Sequence, residues 1–220
     1  MWDVVPRDHR DGPDGLRRRR IVTAAFVVLG ALVLGLSLRI EPGSAWFYPS
    51  TLGLAAVWAV GALASGPLHL GRITYRSRQV RPIVTPILLG LGLAAVFVIG
   101  GLVVRNVDVL DRQVSSVLDH AAEGSLPLLV LITAVNGIAE ELFFRGAAYA
   151  AITVHPVLWT TVAYGVATLA TGNVMLSLAA VFLGLVVGLE RRASGGVLGP
   201  ILTHVTWSLS MLLVLPALFD

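Results

Sequence analysis

The chain has 220 residues, of which 56% are hydrophobic and only 13% charged, and its mean hydropathy is +0.83. Soluble domains usually carry about 25% charged residues, so this composition argues against an ordinary water-soluble globule. The absence of cysteine excludes disulfide scaffolds, thiolate metal sites and cysteine nucleophiles. All 16 basic residues are arginines that stand beside apolar runs, which favours a membrane surface over nucleic acid as the partner of this charge.

The N-terminal stretch is rich in Arg and Asp and has no periodic apolar face. It predicts a disordered basic tail over residues 1–20 that ends in four consecutive arginines. The uncharged run that follows is longer than the core of a typical signal peptide, and further apolar runs come after it. We therefore interpret it as a retained first span and expect residues 21–220 to form a single membrane domain.

The later apolar runs predict further spans, since about 20 helical residues cross a bilayer. The run 146–189 is too long for one span, and the turn-type cluster Thr171-Gly172-Asn173 divides it. A break is also expected at His155-Pro156, because the residue before proline disfavours helix. The sequence thus predicts an all-α, polytopic membrane helix bundle of about seven transmembrane helices. The predicted spans are 21–39, 46–65, 82–104, 125–145, 157–171, 174–189 and 197–218.

Arginine placement predicts the orientation of these spans. The N-terminal tail, the connection 66–81 and the pair Arg191-Arg192 alternate along the chain as segments on the cytoplasmic side should. The N-terminus is then cytoplasmic and Asp220 lies outside, in the cell membrane of an organism whose lysine-free composition suggests a GC-rich bacterial genome. The segment 106–122 is predicted either as an interfacial amphipathic helix or as a solvated linker helix.

Ionisable residues inside apolar spans are functional candidates because burying them is costly. The fourth span ends with Glu140, Glu141 and Arg145, and the seventh holds His204 with Ser208 one turn further. Adjacent helical residues point about 100° apart, so the two carboxylates are expected to have different roles. Glu141 and Arg145 have the spacing of an ion pair, which leaves Glu140 as a candidate general base for water. The alternative is a cytoplasmic-edge charge cluster that merely ends the span.

Other ionisable residues receive structural interpretations. Arg39, Arg105 and Glu190 lie at predicted span ends and are expected to snorkel to the interface. The remaining histidines are expected to be solvated; they are His9, His69, His120 and His155. The sequence has neither a His-Glu-x-x-His motif nor a cysteine cluster, and zinc usually takes three or four protein ligands. We rank water activation by glutamate above a bound metal; no cofactor is required, and a divalent metal stays an open alternative.

The segment Glu140-Glu141-Leu-Phe-Phe-Arg145-Gly146 resembles the first signature, Glu-Glu-x-x-x-Arg, of the CPBP family. This family comprises intramembrane CAAX proteases and bacteriocin-processing proteins and is also called the abortive-infection family. The resemblance covers about residues 124–218, and the first three spans are similar only as generic membrane helices. It implies that Glu140 activates water and that Glu141 and Arg145 support it.

The family's other two signatures are matched with departures. Phe-x-x-x-His is best matched by Tyr164-Gly-Val-Ala-Thr168, and His-x-x-x-Asn by His204-Val-Thr-Trp-Ser208. The resemblance implies that His204 helps stabilise the oxyanion. Thr168 cannot move protons at neutral pH as histidine does, whereas Ser208 can still donate one hydrogen bond in place of asparagine. Whether Tyr164 or a chain of waters compensates for Thr168 stays open.

Three functional hypotheses follow. The preferred one is an intramembrane endopeptidase that hydrolyses a peptide bond of a membrane-associated peptide or protein with a glutamate-activated water. The second is a catalytically impaired or inactive relative that acts as a membrane scaffold or chaperone, since losing a general acid–base or oxyanion group costs about 10²–10⁴ in rate. The third is a small transporter or proton relay. All three place the protein in the lipid bilayer.

Overall fold

A computed structural model describes residues 11–37, 39–41, 43–122 and 124–219. The chain is 78% helical, and its regular elements comprise helices and one short hairpin. In chain order these elements are α1 (Pro13–Ser37), α2 (Phe47–Ser65), β1 (Ile73–Tyr75), β2 (Arg78–Val80), α3 (Val84–Val104), α4 (Asp108–Ala122), α5 (Leu126–Glu141), a π-helical segment (Leu142–Ala148), α6 (Tyr149–Ala151), α7 (Pro156–Leu169), α8 (Val174–Ser194), α9 (Leu198–Val214) and α10 (Pro216–Phe219).

The apolar helices stand where the sequence predicts spans. Two shorter apolar helices, α7 and α9, accompany five that are long and apolar enough to cross a membrane. The five are Pro13–Ser37, Phe47–Ser65, Val84–Val104, Leu126–Ala151 and Val174–Ser194. The predicted breaks are present, since α7 begins at Pro156 and the Asn173 side chain accepts a hydrogen bond from the Leu176 N–H at the start of α8. The prediction of an all-α, polytopic bundle is confirmed.

The first helix begins earlier than the sequence analysis predicts. It starts at Pro13 with Asp14 in its first turn, and both residues favour a helix N-terminus. The predicted disordered tail is therefore wrong for residues 13–20. Residues 1–10, including His9, lie outside the described part of the chain, as do Asp220 and the side chain of His120.

The arginine run is not simply an anchor at the lipid surface. Arg19 is only 1% exposed; its Nε donates to Asp11 at 2.5 Å and its Nη2 to the Pro67 carbonyl at 3.2 Å. The neighbouring Arg18 and Arg20 donate to backbone carbonyls in the last turns of α2 and α6. Cations stabilise helix C-termini, where carbonyl groups lack partners within the helix. The run therefore fastens α1 to the ends of other helices.

The connection 66–81 contains a hairpin that the sequence analysis does not predict. Strands β1 and β2 pair antiparallel through a two-residue turn in which Arg76 and Ser77 both have positive φ, as tight hairpins require. The chain just before the hairpin lies against the start of α9, since the Val197 N–H donates to the His69 carbonyl at 2.8 Å. A Cβ at Gly196 would lie 2.0 Å from a backbone nitrogen of this loop, so only glycine fits.

The apolar core lies beside the ionisable residues of the fourth span. Trp58 of α2 is buried against Phe143 and Phe144 of the π-helical segment, with ring centroids 4.7 and 5.1 Å away. Helix α9 packs mainly on α3 and α5, while α8 packs mainly on α7. Helix α9 also packs on α8 and so joins the two groups of helices, while α3 adjoins the bundle mainly through α9.

Helix α4 occupies the segment predicted as an interfacial or linker helix. It caps α8: the Gln113 side chain accepts hydrogen bonds from the backbone N–H groups of Val174 and Met175 at the start of that helix. Asn173 in turn donates to the Gln113 carbonyl at 2.6 Å. The helix thus fixes one end of α8 by satisfying N–H groups that have no partner within that helix.

Candidate active site

Glu140 and Glu141 are the last two residues of α5, immediately before the π-helical segment. Short π-helical turns within helices occur frequently at functional sites. The two side chains diverge as the helical geometry predicts: that of Glu140 is 16% exposed, whereas that of Glu141 is completely buried. Glu140 is therefore the carboxylate that solvent or a substrate can reach.

Glu141 contacts both Arg145 and His204. With Glu140 and Tyr164, these residues form what we call the cluster. Glu141 Oε1 accepts a hydrogen bond from Arg145 Nη1 at 3.0 Å, so the ion pair expected from their spacing is present. The same oxygen lies 2.7 Å from His204 Nδ1. A carboxylate at one imidazole nitrogen fixes the orientation of the ring and the position of its proton. Glu141 therefore directs the other nitrogen of His204 away from itself.

Glu140 lies on the opposite side of the imidazole. Its Oε2 is 4.0 Å from His204 Nε2 and accepts a hydrogen bond from the Tyr164 hydroxyl. A separation of 4.0 Å is too long for a direct hydrogen bond, but one water molecule can contact both atoms at hydrogen-bonding distance. Side chains from α5, α7 and α9 thus converge on one point.

Arg145 supplies the positive charge of the cluster. Its guanidinium carbon lies 4.9 Å from the centre of the Tyr164 ring, within range of a cation–π contact. A Cβ at Gly184 of α8 would lie 3.1 Å from Arg145 Nη2, so this glycine leaves room for the guanidinium. Arg145 Nε and Nη2 have no hydrogen-bond partner within the described part of the chain. The guanidinium is thus paired with Glu141 through Nη1, and two of its nitrogens keep unused N–H donors.

The residues that depart from the family signatures stand apart from this network. Thr168 donates its hydroxyl to the Tyr164 carbonyl one turn earlier at 2.9 Å, as helical threonines often do. Among the residues that the structure describes, no hydrogen bond joins Thr168 or the half-buried Ser208 to Glu140 or His204. From α7, the group that reaches Glu140 is the hydroxyl of Tyr164, which stands where the family's second signature has phenylalanine.

Three further residues near the cluster were not singled out as site residues. Asn136 stands one helical turn before Glu140, and the Trp207 ring lies 6.1 Å from that of His204. Asn136 Oδ1 and Trp207 Nε1 are buried and have no hydrogen-bond partner in the described ranges. Glu190, expected to snorkel, also has one buried carboxylate oxygen without a partner there. The i−4 spacing of Asn136 from Glu140 was the one available sequence signal.

The donor set does not form a metal centre among residues 11–37, 39–41, 43–122 and 124–219. In these ranges no group of three or more His, Cys, Asp or Glu side chains is placed to hold an ion. Glu141 and His204 already contact each other through the atoms that would serve as ligands. The arrangement fits proton transfer to and from water, and a divalent metal stays the open alternative that it was from the sequence.

Residues 122–210 match the protein family described as type II CAAX prenyl endopeptidase Rce1-like. No curated protein and no solved structure shows a significant match to the chain. The matched segment runs from the end of α4 into α9 and includes Glu140, Tyr164 and His204. The protein is thus a multi-pass membrane protein, and its segment 122–210 is Rce1-like, which confirms the CPBP resemblance predicted from the sequence.

Proposed function

We propose that the protein is an intramembrane endopeptidase in which Glu140 activates water to hydrolyse a peptide bond of a membrane-associated substrate. The observation that carries this proposal is the convergence of Glu140 Oε2 and His204 Nε2, 4.0 Å apart, within otherwise apolar helices. The match of residues 122–210 to an endopeptidase family supports it. A carboxylate in such a partly dry setting is suited to general base catalysis.

In this mechanism Glu140 accepts a proton as water attacks the carbonyl carbon of the scissile bond. The new C–O bond forms, and the carbonyl oxygen becomes an oxyanion. In its protonated form, His204, oriented by Glu141 at Nδ1, donates Nε2–H to that oxyanion. Collapse of the tetrahedral intermediate breaks the C–N bond, and the proton on Glu140 passes to the leaving amine. Glu141 and Arg145 position His204 and balance charge.

Tyr164 takes the place of the histidine that the family's second signature contains. Its hydroxyl donates to Glu140 Oε2 and so holds this oxygen in place beside the water that it can share with His204 Nε2. Thr168, which stands at the signature position itself, bonds only to the backbone of its own helix in the described part of the chain. The compensation for the missing histidine thus comes from the residue one turn earlier.

The orientation predicted from arginine placement is part of this proposal. The Arg72 N–H donates to the Ser194 carbonyl at the end of α8, and Arg18 donates to the last turn of α2. The three arginine-rich segments therefore contact one end of the same bundle. We place that end, with the N-terminus, on the cytoplasmic side of a bacterial membrane.

A second candidate function is a membrane scaffold or chaperone without peptidase activity. The observation in its favour is that Thr168 and Ser208 contribute no hydrogen bond to the cluster among the described residues. An enzyme that lacks two signature groups loses about 10²–10⁴ in rate for each group that nothing replaces. A scaffold would use the same cluster to bind a partner rather than to cleave it.

The deciding experiment compares the termini of membrane proteins in cells that carry either the wild type or Glu140→Gln at matched abundance. We expect new termini only with the wild type, and each new terminus would name a substrate and its cleavage site. Glu41→Gln, an exposed glutamate outside the cluster, is the matched control and should leave the new termini in place. Identical termini in all strains, with a deletion phenotype that Glu140→Gln rescues, would favour the scaffold.

A further inference from the structure

A groove lies between α1 and the connection from α6 to α7, at the end of the bundle that bears the arginine run. Its cavity measures about 410 Å³. Arg20, Thr23 and Thr153 give it one polar side, and Val154 and Trp159, both exposed, continue it along an apolar wall. The groove therefore combines polar and apolar lining residues, as a site for the headgroup and an acyl chain of a lipid requires.

Arg20 brings a positive charge to the polar side. Its Nε donates to the Ala151 carbonyl at 3.1 Å, and its Nη2 lies 3.5 Å from Thr153 Oγ1, the limit of a hydrogen bond. Among the ion pairs of the residues that the structure describes, none joins Arg20 to a carboxylate. The charge of this guanidinium is thus available to an anion bound in the groove.

Thr23 offers an unsatisfied hydroxyl at the same place. The residue is 7% exposed, and its Oγ1 is buried without a hydrogen-bond partner in the described ranges. Other helical hydroxyls, those of Ser37 and Thr160 for example, donate to a carbonyl one turn earlier. A buried hydroxyl without a partner costs free energy, and a ligand that accepts its proton would remove this cost.

We propose that this groove binds an anionic phospholipid, with the phosphate at Arg20 and Thr23 and an acyl chain along Trp159. The charge supports this occupant, since the groove adjoins four consecutive arginines, Arg17 to Arg20. The apolar wall supports a lipid rather than a free anion. An exposed tryptophan beside a basic segment is typical of the membrane–water interface, where headgroups lie.

The test is native mass spectrometry of the full-length chain titrated with phosphatidylglycerol or phosphatidylcholine of the same acyl chains. We expect tighter binding of phosphatidylglycerol by the wild type and a loss of about fivefold in Arg20→Gln, as one arginine near anionic lipid contributes. Thr23→Val should lower binding by about threefold without lowering the melting temperature, because the hydroxyl that it removes has no partner within the described chain.

Arg18→Gln is the matched control, because Arg18 belongs to the same run and also donates to a helix-end carbonyl, yet does not line the groove. It should bind phosphatidylglycerol as the wild type does. An equal loss in Arg18→Gln, or unchanged binding in Arg20→Gln and Thr23→Val, would overturn the proposal. So would displacement of the lipid by inorganic phosphate, or a wild type that binds no lipid because residues 1–10 or a second copy cover the groove.

Discussion

Arg19 of α1 and Arg145 of the π-helical segment are both buried, but their hydrogen bonds differ. Each of the three nitrogens of Arg19 donates, respectively to Asp11, Ser65 and the Pro67 carbonyl. Arg145 donates through Nη1 alone, and its Nε and Nη2 have no partner in the part of the chain that the structure describes. Every nitrogen of Arg19 thus has a partner, whereas two nitrogens of Arg145 have none there. We call the first arginine saturated and the second unsaturated.

From this difference we interpret the surroundings of Arg19 as a structural region and those of Arg145 as a functional, unsaturated region. Buried polar groups in proteins are nearly always hydrogen-bonded, so a cluster of exceptions requires an explanation. Several buried atoms beside Arg145, Glu140 or His204 are such exceptions among the described residues; they are Glu141 Oε2, Thr161 Oγ1, Asn136 Oδ1 and Trp207 Nε1. Unused donors and acceptors are what a site needs if a substrate or water is to complete its hydrogen bonds.

The largest effect is expected when the cation of this cluster is removed. Arg145→Met removes the arginine partner of the fully buried Glu141 and leaves it with His204 alone, and breaking a buried pair costs about 3–5 kcal/mol. Arg19→Met should cost less, about 1–2 kcal/mol, because Asp11 is 19% exposed and can turn to water. The two free energies of unfolding are compared in one detergent by titration with a denaturing detergent.

The double variant Glu141→Gln with Arg145→Met is the control for this prediction. It removes both charges of the pair, so it should recover part of the stability that Arg145→Met loses. Equal losses in Arg19→Met and Arg145→Met would show that the saturated and unsaturated arginines are energetically alike, and the distinction between the two regions would fail.

The second largest effect on stability is expected at Gly196, where the loop before the hairpin meets the start of α9. Gly196 precedes α9 and touches the loop before the hairpin, where a Cβ would lie 2.0 Å from the Gly71 nitrogen. Gly196→Ala must displace this loop or the start of α9, at a cost of about 1–3 kcal/mol. Gly53→Ala is the control, because no heavy atom lies within 4 Å of its added Cβ and alanine favours helix. A stable Gly196→Ala would mean that the two segments are not pressed together.

The sequence predicted the fold well because hydropathy and length decide it. Seven apolar helices occupy the predicted places, and the breaks at His155–Pro156 and at Asn173 follow from local turn chemistry. The beginning of α1 was missed because composition was weighed above the helix-start signals of Pro13 and Asp14. The hairpin was missed because Arg76 and Ser77 are unusual residues for positive φ.

The candidate site was predicted only in part. Helical spacing was enough to foresee the pair of Glu141 and Arg145 and the divergence of Glu140 from Glu141. The contact between Tyr164 and Glu140 joins two helices, so it depends on packing that no spacing within one helix reveals. The π-helical turn after Glu141 likewise depends on how the buried rings pack against α2.

Tyr164→Phe should affect activity more than stability. It removes the hydroxyl that bonds to Glu140, so we expect peptide cleavage to fall about 10- to 100-fold and the free energy of unfolding by about 1 kcal/mol. Thr168→Val is the matched control and should keep cleavage within about twofold, because its hydroxyl bonds only within α7 among the described residues. The assay measures the new terminus of a substrate found in the comparison with Glu140→Gln. A larger loss of cleavage in Thr168→Val would show that Thr168, and not Tyr164, takes the role of the histidine in the family's second signature.

The smallest effect is expected at Ser208. Its side chain makes no hydrogen bond with the described residues, so Ser208→Ala should change the free energy of unfolding by less than about 0.5 kcal/mol and leave cleavage unchanged. Ser208→Asn restores the asparagine of the family's third signature, and its longer side chain can reach further from α9. Faster cleavage in Ser208→Asn would show that the oxyanion lacks a second donor beside His204 in the natural chain. Slower cleavage in Ser208→Ala would instead show that the serine hydroxyl turns to the substrate, and the unsaturated region would then extend one turn further along α9.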